Sequence, residues 1–130
     1  MRLLLDTQIV LRLVGEIEGK APSIDDLLDN PANQFLVSVA SLWEIAIKVR
    51  LGKLPLKLPL AEIAPYLEAG RAELLDVTPA HAIAEVHPAP ETKDPFDRLL
   101  LAVAMIEGVR LVTVDRSLER HPLAWRSGSA

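Results

Sequence analysis

At 130 residues and 14.2 kDa, with 18 acids against 14 bases, the chain has material for one domain, 1–130, and none for a second. It has no cysteine, which excludes a disulfide framework, thiolate zinc sites, iron–sulfur clusters and a thiol nucleophile. Half of the residues are hydrophobic and a quarter charged, which excludes a disordered chain, and a net charge of −4 argues against a broad basic nucleic-acid surface.

The first residues reach Asp6 too soon for a signal-peptide core, and the longest apolar run, 99–106, falls far short of the roughly 20 residues that span a bilayer. A soluble, cytoplasmic protein without a membrane partner is expected. Arg2–Leu5 suits a buried strand, and the spacing of Ile9, Val10, Leu13 and Val14 predicts a helix over 7–14. A small helix follows at 23–29, with Ser23 and Asp26 as a capping pattern, and then a second strand at 34–39. Leu42, Ile45, Ala46 and Val49 mark a helix that starts at Ser41 and ends before Gly52. Residues 53–59 read as a loop and 60–69 as a helix that Pro65 should kink or restart. A third strand is expected at 73–77. Thr78-Pro79 opens a helix to about Val86, and 87–92 is a proline-bearing loop. Asp94-Pro95 repeats that opening signal for Pro95–Glu107, a helix apolar almost all round and therefore central. Residues 110–114 make a fourth strand, 117–120 a turn, 123–125 a last extended piece, and 127–130 a frayed tail.

Strands that alternate with helices imply βα units and a parallel sheet with helices on both faces. In such sheets sites form beyond the carboxyl ends of the strands. Asp6 and Asp115 directly follow the first and fourth strands, while Glu44 and Asp97 occupy the first turns of helices that begin at that edge. Four carboxylates on one rim repel each other unless protons or cations offset them, and hard oxygen donors suit magnesium or manganese. Metal-assisted hydrolysis of a phosphodiester is the chemistry such a set supports. Without those four acids the remainder of the chain is neutral.

Each acid also has a purely structural reading. Glu44 stands three residues after Ser41 and Asp97 three after Asp94, as capping boxes require, and Asp6 and Asp115 can each open a turn. Lys48 lies four residues after Glu44 and suits a helix ion pair; Arg98 and Arg116, each next to an acid, are the better candidates for RNA contact. The histidines lack metal-ligand spacing and suit surface or turn roles. Trp43 and Ile47 form a second apolar stripe, assigned to core. With 4% aromatics, extensive base stacking is not expected.

Four stretches carry a resemblance: LLLDT around Asp6, SVASLWEIAIKVRLGKL around Glu44, DPFDRLLLAVAMIEG around Asp97, and LVTVD ending at Asp115. Together they resemble the PIN-domain ribonucleases, and within them the VapC-type toxins of prokaryotic toxin–antitoxin pairs. The resemblance implies a three-layer α/β/α fold and a Mg2+- or Mn2+-dependent endoribonuclease. It implies an acidic quartet of Asp6, Glu44, Asp97 and Asp115 as metal ligands and catalytic residues, with Thr113 in support. Asp94 lies close enough to contribute but is favoured as the helix cap. RNA as substrate, a VapB-type antitoxin as partner and a homodimer are implied as well. Two departures, Gln8 after Thr7 and Thr92-Lys93 before Asp94, leave the quartet untouched and bear on substrate contacts. An aspartyl phosphatase would need an acid at position 8, and a receiver domain a late lysine where Asp115 stands. A catalytically silent PIN-like interaction module remains the alternative.

Overall fold

The computed structural model describes residues 1–127; of the tail expected at 127–130, only Ser127 falls within them. Four short strands, β1 (Arg2–Leu5), β2 (Gln34–Ser38), β3 (Ala72–Leu75) and β4 (Arg110–Val112), pair in parallel in the order β3-β2-β1-β4. Leu4 sits at the centre, opposite Leu36 on one side and Leu111 on the other. Side chains alternate across the sheet, so each strand feeds two cores. Leu3, Leu5, Phe35, Val37 and Val112 pack on one face with Ile9, Ile24, Leu27, Ile45 and Leu67. Leu4, Leu36 and Leu111 pack on the other with Leu100, Leu101, Val103 and Leu118. Burial on both faces is why the strands read as unbroken apolar runs instead of alternating ones.

The helices are α1 (Thr7–Leu13), α2 (Pro22–Asp29), α3 (Val39–Arg50), α4 (Ile63–Ala69), α5 (Pro79–Ile83), α6 (Pro95–Glu107) and α7 (Arg116–Glu119). This is the α/β arrangement expected, with helices on both sheet faces. Several boundaries differ from expectation for physical reasons. The first turn of α2 is opened by Pro22, with no side-chain cap from Ser23; the fixed proline φ replaces the cap. A 3₁₀ turn at Leu60–Glu62 leads into α4, so Pro65 falls in its first turn, where a missing N–H costs nothing. Helix α5 stops at Ile83, and Val86 turns into the second core instead. Strand β4 ends at Val112, because Thr113 leaves the sheet to bond Asp6. The extended piece at 123–125 covers the free edge of β4: the Leu111 N–H donates to the Leu123 carbonyl and the Trp125 N–H to that of Leu111, both at 2.8 Å. Among the described residues no helix is long and apolar enough to cross a membrane.

Candidate active site

All strands point the same way, so Asp6, Ser38 and Thr113 emerge at one edge. Asp6 is held there by its own backbone, whose N–H donates to the Val112 carbonyl at 2.9 Å. Its Oδ1 accepts the Thr7 N–H at 2.8 Å and its Oδ2 accepts the Thr113 hydroxyl at 2.7 Å. Burial raises the Asp6 carboxyl above its ordinary range; these two bonds oppose the rise, and the nearby carboxylates of Glu44 and Asp115 add to it.

Glu44 lies on α3, which begins two residues earlier than expected: Ser38 is its cap and accepts the Ala40 N–H at 3.1 Å. The capping-box reading of Glu44 therefore fails. Its buried Oε1 accepts the Thr7 hydroxyl at 2.7 Å, and its Oε2 meets Lys48 Nζ at 2.6 Å. Thr7 has a single hydroxyl proton, which Glu44 claims; Ser41 Oγ, 3.1 Å from Thr7 Oγ1, is then the donor in their contact. Ser41, expected as a cap, is thus a buried member of the site.

Asp97 enters from α6. Asp94 caps that helix as expected, its Oδ1 accepting the N–H groups of Phe96 at 2.8 Å and Asp97 at 3.3 Å. The carboxylate of Asp97 does not reach back to complete a capping box; its Oδ2 accepts the Thr92 hydroxyl at 3.0 Å. Burial first, then the charges of Asp94, Asp6 and Asp115, push its carboxyl up to about 6, with the Thr92 bond opposing. Asp115 is exposed and caps α7, where its Oδ1 accepts the Ser117 N–H at 2.8 Å and hydroxyl at 2.7 Å.

Every member of the quartet thus accepts one side-chain hydroxyl: Thr113 on Asp6, Thr7 on Glu44, Thr92 on Asp97 and Ser117 on Asp115. Of these donors the sequence reading gave Thr113 alone a part in the site; Thr92, read as a departure that leaves the quartet untouched, does touch it, through Asp97. Thr7 and Ser117 carry a faint signal, being one and two residues beyond an acid; Thr92 sits in a loop and carries none. Lys48, read as a helix partner of Glu44, is that, and it also feels the charges of Asp94 and Asp97. Arg98 is exposed and donates to the Thr92 carbonyl at 3.2 Å; Arg116 is exposed at the start of α7.

Trp43 is not core: it is 62% exposed, with its ring 5.6 Å from that of Phe96 in an edge-to-face pair. Two histidines are buried rather than superficial. The Thr78 N–H donates to Nδ1 of His81, which leaves the proton on Nε2 for Glu107 at 2.7 Å; His121 bridges the Pro88 carbonyl and the Leu123 N–H.

A hard divalent cation suits these donors: all four are carboxylates oriented by hydroxyls, three of them are buried, and Asp6 and Asp97 are destabilised as anions by burial first and by neighbouring acids second. Among the described residues, no three acids or histidines are gathered tightly enough to enclose an ion as they stand.

The PIN-domain family model matches residues 3–123. Ribonuclease VapC22 of Mycobacterium tuberculosis (strain ATCC 25618 / H37Rv) is 29% identical over 119 residues, spanning 91% of this chain and 90% of that protein. A chain in the crystal structure of VapBC2 from Rickettsia felis bound to a DNA fragment from their promoter has the same fold, with a TM-score of 0.60 over 95% of this chain and 96% of that one, at 17% identity.

Proposed function

We propose, from the premise that this chain belongs to the PIN-domain family, that it is a metal-dependent endoribonuclease toxin acting at Asp6, Glu44, Asp97 and Asp115. The observation that carries the reading is the convergence of buried Asp6, Glu44 and Asp97 on one sheet edge, from the end of β1, from α3 and from α6, with the Asp6 and Asp97 carboxyls raised by burial and by neighbouring acids. Asp6 caps α1, but Glu44 and Asp97 are buried without capping any helix, so capping alone does not account for the set. The similarity to Ribonuclease VapC22 supports RNA as the substrate.

Asp6, Glu44, Asp97 and Asp115 are the residues that would hold Mg2+ or Mn2+, which supplies a nucleophilic water at neutral pH and offsets charge on the attacked phosphate. Thr113, Thr7 and Thr92 each fix one carboxylate's orientation, leaving its remaining lone pairs for the cation. Lys48 and Arg98, at the rim, suit phosphate oxygens of the bound strand. Neither a histidine nor a serine nucleophile is required. A VapB-type antitoxin as partner, a homodimer and a cytoplasmic setting complete the proposal; the likeness to the VapBC2 fold is consistent with the first.

Cleavage of total RNA by purified protein tests this, with Mn2+ or Mg2+ and with EDTA, beside Asp6→Asn and Asp97→Asn. Discrete fragments are expected that need metal and vanish in both variants. A folded wild type that leaves RNA intact with metal present would favour the interaction-module alternative, and cleavage that survives both substitutions would displace the site.

A further inference from the structure

The chain has five aromatic residues in all, and two of them, Trp43 and Phe96, stand beside the acids. Trp43 immediately precedes Glu44 on α3, and Phe96 immediately precedes Asp97 in the first turn of α6. Adjacent helix residues point about 100° apart, so each ring sits beside its acid, on the outer side of the rim. The two helices pack together there, and the edge-to-face contact at 69° fixes the plane of the indole while leaving Trp43 62% exposed. The indole thus presents a flat apolar face to solvent at the rim of the acidic edge.

The surroundings select the occupant. Lys48 lies one turn along α3 from Glu44, and Arg98 is exposed two residues after Phe96; Asp94 and Asp97 lie on the same side. An apolar peptide laid over Trp43 would strip water from Arg98 and the rim carboxylates and offer Lys48 nothing beyond the Glu44 it already meets. A nucleotide pairs with both kinds of group, offering a π face to the indole and phosphate oxygens to Lys48 and Arg98. We propose that Trp43, oriented by Phe96, is the stacking platform for one unpaired base of the RNA, next to the phosphate presented to the acids; the proposal rests on the ribonuclease reading above. It agrees with the scarcity of aromatics: one base is held, not a stack. Because every base has a π face, the platform supplies affinity and register with little preference among bases.

The test uses intrinsic fluorescence. Trp125, the other tryptophan, packs against the core, so Trp125→Phe leaves Trp43 as the sole indole. A short single-stranded oligoribonucleotide is titrated with Ca2+ present, an oxygen-liganded cation that permits binding without efficient hydrolysis. The same length of abasic ribose-phosphate and a protein dilution series run alongside. Saturable quenching by the base-bearing strand and none by the abasic one is expected. Read by the anisotropy of a dye-labelled strand, which needs no tryptophan, Trp43→Ala should weaken binding about tenfold and Trp43→Phe much less. Equal quenching by the abasic strand, or unchanged affinity in Trp43→Ala, would overturn the platform. So would fluorescence that follows protein concentration alone, which would assign the ring to contact between copies. Cleavage by the wild type with Mn2+ separates the two readings: intact cleavage with unchanged Trp43→Ala binding removes only the platform, and absent cleavage removes the ribonuclease reading while quenching still decides the stacking.

Discussion

Asp97 binds its proton more tightly in the folded protein than in the unfolded chain, since its carboxyl moves from an ordinary 3.8 to about 6. The stability this group contributes is complete below about 3.8 and is lost as pH rises through about 6; Asp6 shifts in the same direction. Metal-free protein should therefore melt lower at pH 7.5 than at pH 5.5 on account of these groups, and Asp97→Asn should remove much of the difference, raising the neutral-pH midpoint by roughly 3 °C in a calorimetric scan. Mn2+ affinity, followed by isothermal titration, should rise about tenfold per pH unit up to about pH 6 and flatten above it, because the cation must displace the Asp97 proton. Thr113→Val should lower cleavage at least tenfold while the protein stays folded, with Thr113→Ser recovering most of it, since the hydroxyl that orients Asp6 is what differs. At this scale the four acids were legible because each stands at a predicted strand or helix end. Three of their hydroxyl partners were not: Thr7 reaches Glu44 across 37 positions, and Thr92 lies in a loop without periodicity.

Helices α3 and α6 deliver two of the acids, and their caps set the phase of that delivery. Asp94→Ala should cost about 1 kcal/mol of stability, read from a urea midpoint, and Asp94→Ser much less, since either side chain can accept the first-turn N–H groups. Its effect on cleavage should exceed its effect on stability, because the same turn carries Asp97. The start of α3 shows why caps are hard to read from sequence. Ser38 and Ser41 are one turn apart, and Glu44 three residues after Ser41 completes the commoner pattern. The choice falls to Ser38 because β2 ends there, buried and hydrogen-bonded to β3, so the chain must turn at once. Proline-led openings were easier: Thr78-Pro79 and Asp94-Pro95 mark α5 and α6 as the structure has them, proline having little other use at those positions.

For the molecule as a whole, strand alternation made a parallel sheet legible, and with it the edge where a site would form. The order β3-β2-β1-β4 was not legible, because each apolar run is buried on both faces and offers no pattern to mark its neighbours. That order places β1 at the centre, between β2, which leads into α3 and Glu44, and β4, which leads into Thr113. A cation held by those elements, as proposed, would tie the sheet's neighbours together. Saturating Mn2+ should therefore raise the thermal midpoint of the wild type by several degrees and that of Asp6→Asn scarcely at all, as binding confined to the folded state requires.

The bond from Thr113 to Asp6 spans 107 positions, and β4 docks beside a strand made at the opposite end of the chain. Synthesis runs from Asp6 toward Asp115, so a partly translated polypeptide contains Asp6 and Glu44 long before it contains the segment that orients the first and supplies the last. Until β4 emerges and seats against β1, the nascent chain lacks the assembled acidic edge. On the ribonuclease reading, the activity would therefore be withheld from the chain until its synthesis is nearly complete.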